Sequence, residues 1–136
     1  MSDDLTENFK TGHQSIVDIL DRTQGVVRSY SVAKPNIREM SKILLAHFGR
    51  QDKEFFDKLH SFYQSDRQAT KMIESLIHDL KDTKVKYLVF FDKYSGEMGD
   101  IGSNNFPRDF IAFAHDILGR IKIEEDYLLP LIEKLP

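Results

Sequence analysis

Six polar side chains interrupt the apolar stripes of this chain: His13, His47, Gln51, Lys84, Arg120 and Glu124. Imidazole and carboxylate are good ligands for iron and other divalent cations. A protonated lysine or arginine has no lone pair to give, and an amide is a poor substitute for a carboxylate. His47 and Gln51 are four residues apart, as are Arg120 and Glu124, which places each pair on one face of a helix. A histidine followed four residues later by a carboxylate supplies two convergent metal ligands from one helix. Two such helices and further histidines are enough to hold two ions in a bundle core. Here the set is mixed: His13, His47 and Glu124 are of ligand type, and Gln51, Lys84 and Arg120 are not. Each also has a plain structural reading. The histidines and Gln51 would be hydrogen-bonded core residues, Lys84 would reach solvent along an apolar wall, and Arg120 and Glu124 would form an intrahelical ion pair. Six such residues on four facing stripes point to a common centre.

The elements that must carry them are helices. Leu5, Phe9, His13, Ile16 and Leu20 recur at helical spacing and predict a first helix ending near Gly25. Pro35 suits the first turn of a second, with the stripe Ile37, Met40, Leu44, His47, Gln51, Phe55, Leu59 and Phe62. Ser65 or Asp66 is placed to cap a third, with Ile73, Leu76, Ile77, Leu80, Lys84, Tyr87, Phe91 and Tyr94 on its inner face. Residues 96–105, rich in glycine and asparagine, read as a loop. Pro107 opens a fourth helix, with Phe110, Phe113, Ile117, Arg120, Glu124, Leu128 and Leu131 inside, and Pro130 should kink or end it. Four amphipathic helices with short connections predict an all-α, antiparallel up-down four-helix bundle spanning residues 1–136 as one domain.

Composition narrows the function classes. A net charge of -3 with no basic face argues against nucleic acid as a partner. The absence of cysteine excludes disulfides and thiolate chemistry and fits a reducing cytoplasm. The polar start is not a signal peptide, and no apolar run is long enough for a membrane span. No nucleophile elbow or carboxylate pair on a cleft suggests an enzyme.

Three segments carry a family resemblance over almost the whole chain. The residues from Gly12-His13 to Leu20 resemble the first-helix histidine segment of the hemerythrin-like (HHE) family. The stretch from Leu44 through His47 to Gln51 and Asp52 resembles its second-helix His-x-x-x-Glu segment. The stretch from Arg120 through Glu124-Glu125 to Pro130 resembles its fourth-helix segment. The resemblance implies a hemerythrin-like bundle with a di-iron site, and three of the implied ligand positions are substituted. Gln51 stands for a carboxylate, Arg120 for a histidine, and Lys84 for the third-helix histidine, chosen over His78 because His78 lies off the apolar stripe.

The substitutions have an electrostatic consequence. Two unit charges about 4 Å apart interact by roughly 4 kcal/mol at an effective dielectric of about 20, and a divalent ion beside Arg120 or Lys84 is opposed by at least that much. The expectation is therefore a protein without a full di-iron complement, acting as a non-enzymatic binding or regulatory protein on an unidentified protein partner or small ligand. The alternative is a metal-binding protein that holds iron or another divalent metal on His13, His47 and Glu124 for iron or oxygen sensing. A third reading is a histidine phosphotransfer domain using His78, which Asp82 disfavours by repelling a phosphoryl group. His60, His78 and His115 are expected to face solvent.

Overall fold

The computed structural model describes residues 2–96 and 104–136. Six helices follow one another: α1 (Ser2–Gln24), α2 (Tyr30–Gly49), α3 (Lys53–Phe62), α4 (Arg67–Tyr94), α5 (Phe106–Ile123) and α6 (Leu129–Glu133). A π-helical turn, Glu124–Leu128, joins α5 to α6 without a break. In space they form four rods, α1, α2 with α3, α4, and α5 with α6, packed as the expected antiparallel bundle. No strand occurs among the described residues, and no helix is long and apolar enough to cross a membrane.

Local sequence explains the boundaries. The Asp66 carboxylate caps α4 by accepting from the Ala69 N–H, and Asp52 caps α3 by accepting from the Phe55 N–H. Pro107 lies in the first turn of α5, where no helix partner is needed for its missing N–H. Most of the loop expected over residues 96–105 lies outside the described residues.

Three expectations about elements are corrected. The second stripe is not one helix: α2 ends at Gly49 and Asp52 starts α3 afresh, so the phase shifts across the join. Phe56 and Tyr63 are therefore buried, whereas Phe62, placed inside by an unbroken helix, is exposed. Pro35 lies inside α2 rather than in its first turn, because the helix begins at Tyr30. Its missing N–H leaves the Ser31 carbonyl without a helix donor, and Ser31 is exposed to water. Pro130 does not end the fourth rod; the chain widens into the π-turn and continues.

The core is continuous from end to end. Away from the polar cluster, it is aromatic: Phe90 stacks on Phe113 with centroids 4.1 Å apart, and Tyr30, Tyr94, Phe106 and Phe110 surround them. Tyr30 also donates its hydroxyl to the Tyr94 carbonyl, tying the start of α2 to the end of α4. This end fixes the rods so that the polar residues at the other end meet.

Candidate metal centre

Glu124 is the hub. Its side chain is 0% exposed and its two oxygens take four donors. Oε1 accepts from Nε2 of His13 at 2.8 Å and from Nε2 of His47 at 3.0 Å. Oε2 accepts from Nε2 of Gln51 at 2.8 Å and from Nε of Arg120 at 2.8 Å. Arg120 further donates to the Gln51 side-chain oxygen at 3.3 Å and to the Leu76 carbonyl at 3.2 Å, so three rods meet at its guanidinium. No buried side-chain nitrogen or oxygen among the described residues lacks a partner.

Each side chain arrives by a separate structural route. His13 sits mid-way along α1 and His47 near the end of α2, and their rings pack 4.8 Å apart with Phe9 beside both. Gln51 lies in the break between α2 and α3, not on a continuous helical face as its spacing from His47 implied, and it reaches the hub from that bend. Arg120 and Glu124 project from the end of α5 and the start of the π-turn. The spacing of His47 is set by Gly12: a methyl group there would stand 2.6 Å from His47 Nδ1. Only a residue without Cβ lets α1 come this close to the ring.

Burial of Glu124 on its own would raise its pKa. The hydrogen bonds from His13 and His47, then the positive charge of Arg120, outweigh burial and hold the carboxyl far below the usual carboxylate range. These donors favour the ionised form of Glu124.

Five of the six expected residues meet here; the sixth does not. Lys84 is half-buried on α4 and makes no hydrogen bond or ion pair among the described residues. The Lys86–Asp116 and Phe90–Phe113 contacts put Lys84 near the height of Arg120, but the α4 side of the hub is taken by the Arg120 guanidinium, which runs along α4 to the Leu76 carbonyl. His78 and His115 are exposed as expected, and His60 is half-buried. Two residues given no role in the sequence reading prove to matter. Glu125 accepts from His13 Nδ1 at 3.2 Å, and Gly12 holds the gap for His47. Their signal was adjacency to Glu124 and His13, which a strict helical period discounts.

The chain matches the Hemerythrin HHE cation binding domain over residues 4–132. It belongs to that family. No significant match is found among curated proteins or among solved structures. The family implies a bound cation, and the donor set tests that implication. The ligand atoms of His13, His47 and Glu124 all lie within 4.8 Å of one another. Two ligand atoms each about 2.1 Å from an ion and at right angles stand about 3.0 Å apart. The imidazole nitrogens are 2.8 and 3.0 Å from Oε1, and one ion would replace the protons now shared there once the three ligand atoms draw in to the roughly 4.2 Å that opposite ligands of one ion span.

Arg120 opposes a second ion at this hemerythrin-family centre. With both imidazoles neutral, Glu124 (−1), Glu125 (−1) and Arg120 (+1) sum to −1; one divalent ion brings the group to +1 and two would bring it to +3. Arg120 also fills the space on the Oε2 side with a guanidinium 2% exposed.

Proposed function

We propose that this hemerythrin-like domain is a single-cation binding protein rather than a di-iron protein, with Arg120 serving as the fixed positive charge where a second ion would stand. The carrying observation is that two imidazole Nε2 atoms and one buried carboxylate oxygen converge at spacings suited to one ion. His13, His47 and Glu124 would hold it, and two histidines with one carboxylate suit ferrous iron or a similar divalent metal. Such an ion would supply Lewis acidity and, if iron, a redox state to be read out. Gln51 and Arg120 keep Glu124 oriented and ionised whether or not an ion is bound.

We further propose a binding or sensing role without catalysis. Both oxygens of Glu124 are engaged by four neighbours, and a cavity against His47 and Gln51 has a volume of only about 50 Å³. That space admits a water or a very small ligand. A cytoplasmic location accords with the lack of thiols, and the partner that reads the bound state is unassigned.

Anaerobic titration of metal-free protein with ferrous iron and with Co²⁺, followed by calorimetry and metal analysis, tests the reading. One ion per chain is expected. Two would refute the role given to Arg120. None would leave the cluster a purely structural latch, and the domain would then act through its surface. The variant Gln51→Glu with Arg120→His exchanges the guanidinium for ligands and should take up a second ion. Adding Lys84→His should change nothing, because that side chain is outside the cluster.

A further inference from the structure

In a regular α-helix successive side chains diverge by about 100°, yet Glu124 and Glu125 both address the ring of His13. Glu124 Oε1 lies 2.8 Å from His13 Nε2, and Glu125 Oε1 lies 3.2 Å from His13 Nδ1. Both contacts fall at the start of the π-turn, where the Leu129 N–H bonds to the Glu124 carbonyl five residues back, and the long Glu125 side chain reaches the ring from the rim. Glu125 itself is on the rim, with its side chain 54% exposed.

We infer that Glu125 is a positioning residue that fixes which nitrogen of His13 faces the cation. Each ring nitrogen of His13 faces a carboxylate, Nδ1 towards Glu125 and Nε2 towards Glu124, and a carboxylate only accepts, so Glu125 holds a proton on Nδ1 when a cation replaces the one on Nε2. That assignment reserves Nε2, the nitrogen aimed at Glu124, for the metal. It also locks the ring plane between α1 and the π-turn, and a carboxylate behind a ligand histidine strengthens the imidazole as a donor. Glu125 touches no ligand itself and acts only through His13. Among the described residues no carboxylate is hydrogen-bonded to Nδ1 of His47, which faces the backbone gap at Gly12. The two histidines are thus held by different means, one by a hydrogen bond and one by shape.

The inference rests on the single-cation reading, and the test separates the two. Co²⁺ affinity is measured for the wild type, Glu125→Ala and Glu125→Gln, and the His13 Nδ1–H signal is followed by ¹H–¹⁵N NMR in metal-free protein. Glu125→Ala should weaken Co²⁺ binding about 10–100-fold and abolish the protected Nδ1–H signal. Glu125→Gln, whose amide oxygen accepts the same N–H, should stay nearer the wild type. Thermal stability of the metal-free variants should be almost unchanged, which a merely structural role would not predict. Wild-type Co²⁺ affinity in Glu125→Ala overturns the inference. If the wild type itself binds no Co²⁺, the single-cation reading falls, and an Nδ1–H signal unaltered by Glu125→Ala would overturn the positioning role independently.

Discussion

The chain contains a matched pair of experiments on burial. Arg120 and Glu124 form an ion pair across four residues at 2.8 Å, with side chains 2% and 0% exposed. Lys53 and Asp57 form one with the same spacing at 3.4 Å, with side chains 91% and 59% exposed. Opposite charges about 2.8 Å apart attract by roughly 6 kcal/mol at an effective dielectric of about 20. Arg120→Met keeps most of the volume and removes the charge. Glu124 then retains His13, His47 and Gln51, which offset part of the loss, while the Gln51 oxygen loses its donor. The expected destabilisation of the metal-free protein is about 3–5 kcal/mol, the usual effect of stranding one member of a buried pair. At about 3–5 °C per kcal/mol for a chain of this size, the melting temperature should fall by roughly 10–20 °C. Lys53→Met should cost no more than about 0.5 kcal/mol. Urea unfolding of Arg120→Met, Glu124→Gln and the double variant closes a cycle, and the coupling should be about 2–3 kcal/mol. Glutamine is the right partner change, because Glu124→Leu would strand the donors of His13, His47 and Gln51 as well, at about 1–3 kcal/mol each. A coupling below about 0.5 kcal/mol would refute the claim that Arg120 neutralises the hub.

Two further outcomes follow from local geometry. Gly12→Ala should raise helix propensity by about 1 kcal/mol, yet its methyl would press on His47 Nδ1 from 2.6 Å, so Co²⁺ affinity should fall at least about tenfold while α1 persists by circular dichroism. Unaltered affinity would mean that His47 has room to move. At the other end of the bundle, the Tyr94 hydroxyl and then the Lys93 ammonium hold the Asp109 carboxyl below its usual range, against the opposing effect of burial. Its folded pKa lies below its unfolded one, so its stabilisation is complete above the unfolded value of about 4 and lost as pH falls through the folded value. Asp109→Asn should therefore be less stable than the wild type at neutral pH and approach it in acid, measured as unfolding free energy against pH. A gap independent of pH would exclude this linkage.

Much of this was legible before any coordinates. The helical period places His13, His47, Arg120 and Glu124 inward because a period records the side of a rod well. It does not record which side chain fills the centre, and Arg120, reaching the Leu76 carbonyl, occupies the α4 side that the period gave to Lys84. The period also assumes an unbroken helix. Gln51 reached the centre through a bend, and Phe62 went to the surface, because Asp52 begins a new helix where the stripe ran straight on. The capping carboxylate was in the sequence, and its effect on phase is the inference that was missed. Glu125 and Gly12 were hidden for a different reason. Each works next to a residue that had already been assigned, one by a contact from the rim and one through the absence of a side chain.

Pro130 connects these observations. It has no N–H to return to the carbonyls of Asp126 or Glu125, and in a regular helix its ring would press on the turn before it. One response is to end the helix, as the sequence reading allowed. The chain instead widens by one residue immediately before the proline, and the Leu129 N–H closes the π-turn on Glu124. That widening falls on the residues where chemistry is concentrated: Glu124 stays in register with Arg120 behind it, and Glu125 swings towards the outer nitrogen of His13. Pro130 lies five and six places downstream of Glu125 and Glu124. The fourth rod accommodates it with a π-turn that starts at the two carboxylates meeting one imidazole, and the same turn lets α6 resume and bury Ile132 against the core. The substitutions at Gln51 and Arg120 alter what the centre can hold, while the backbone that brackets His13 does not depend on them.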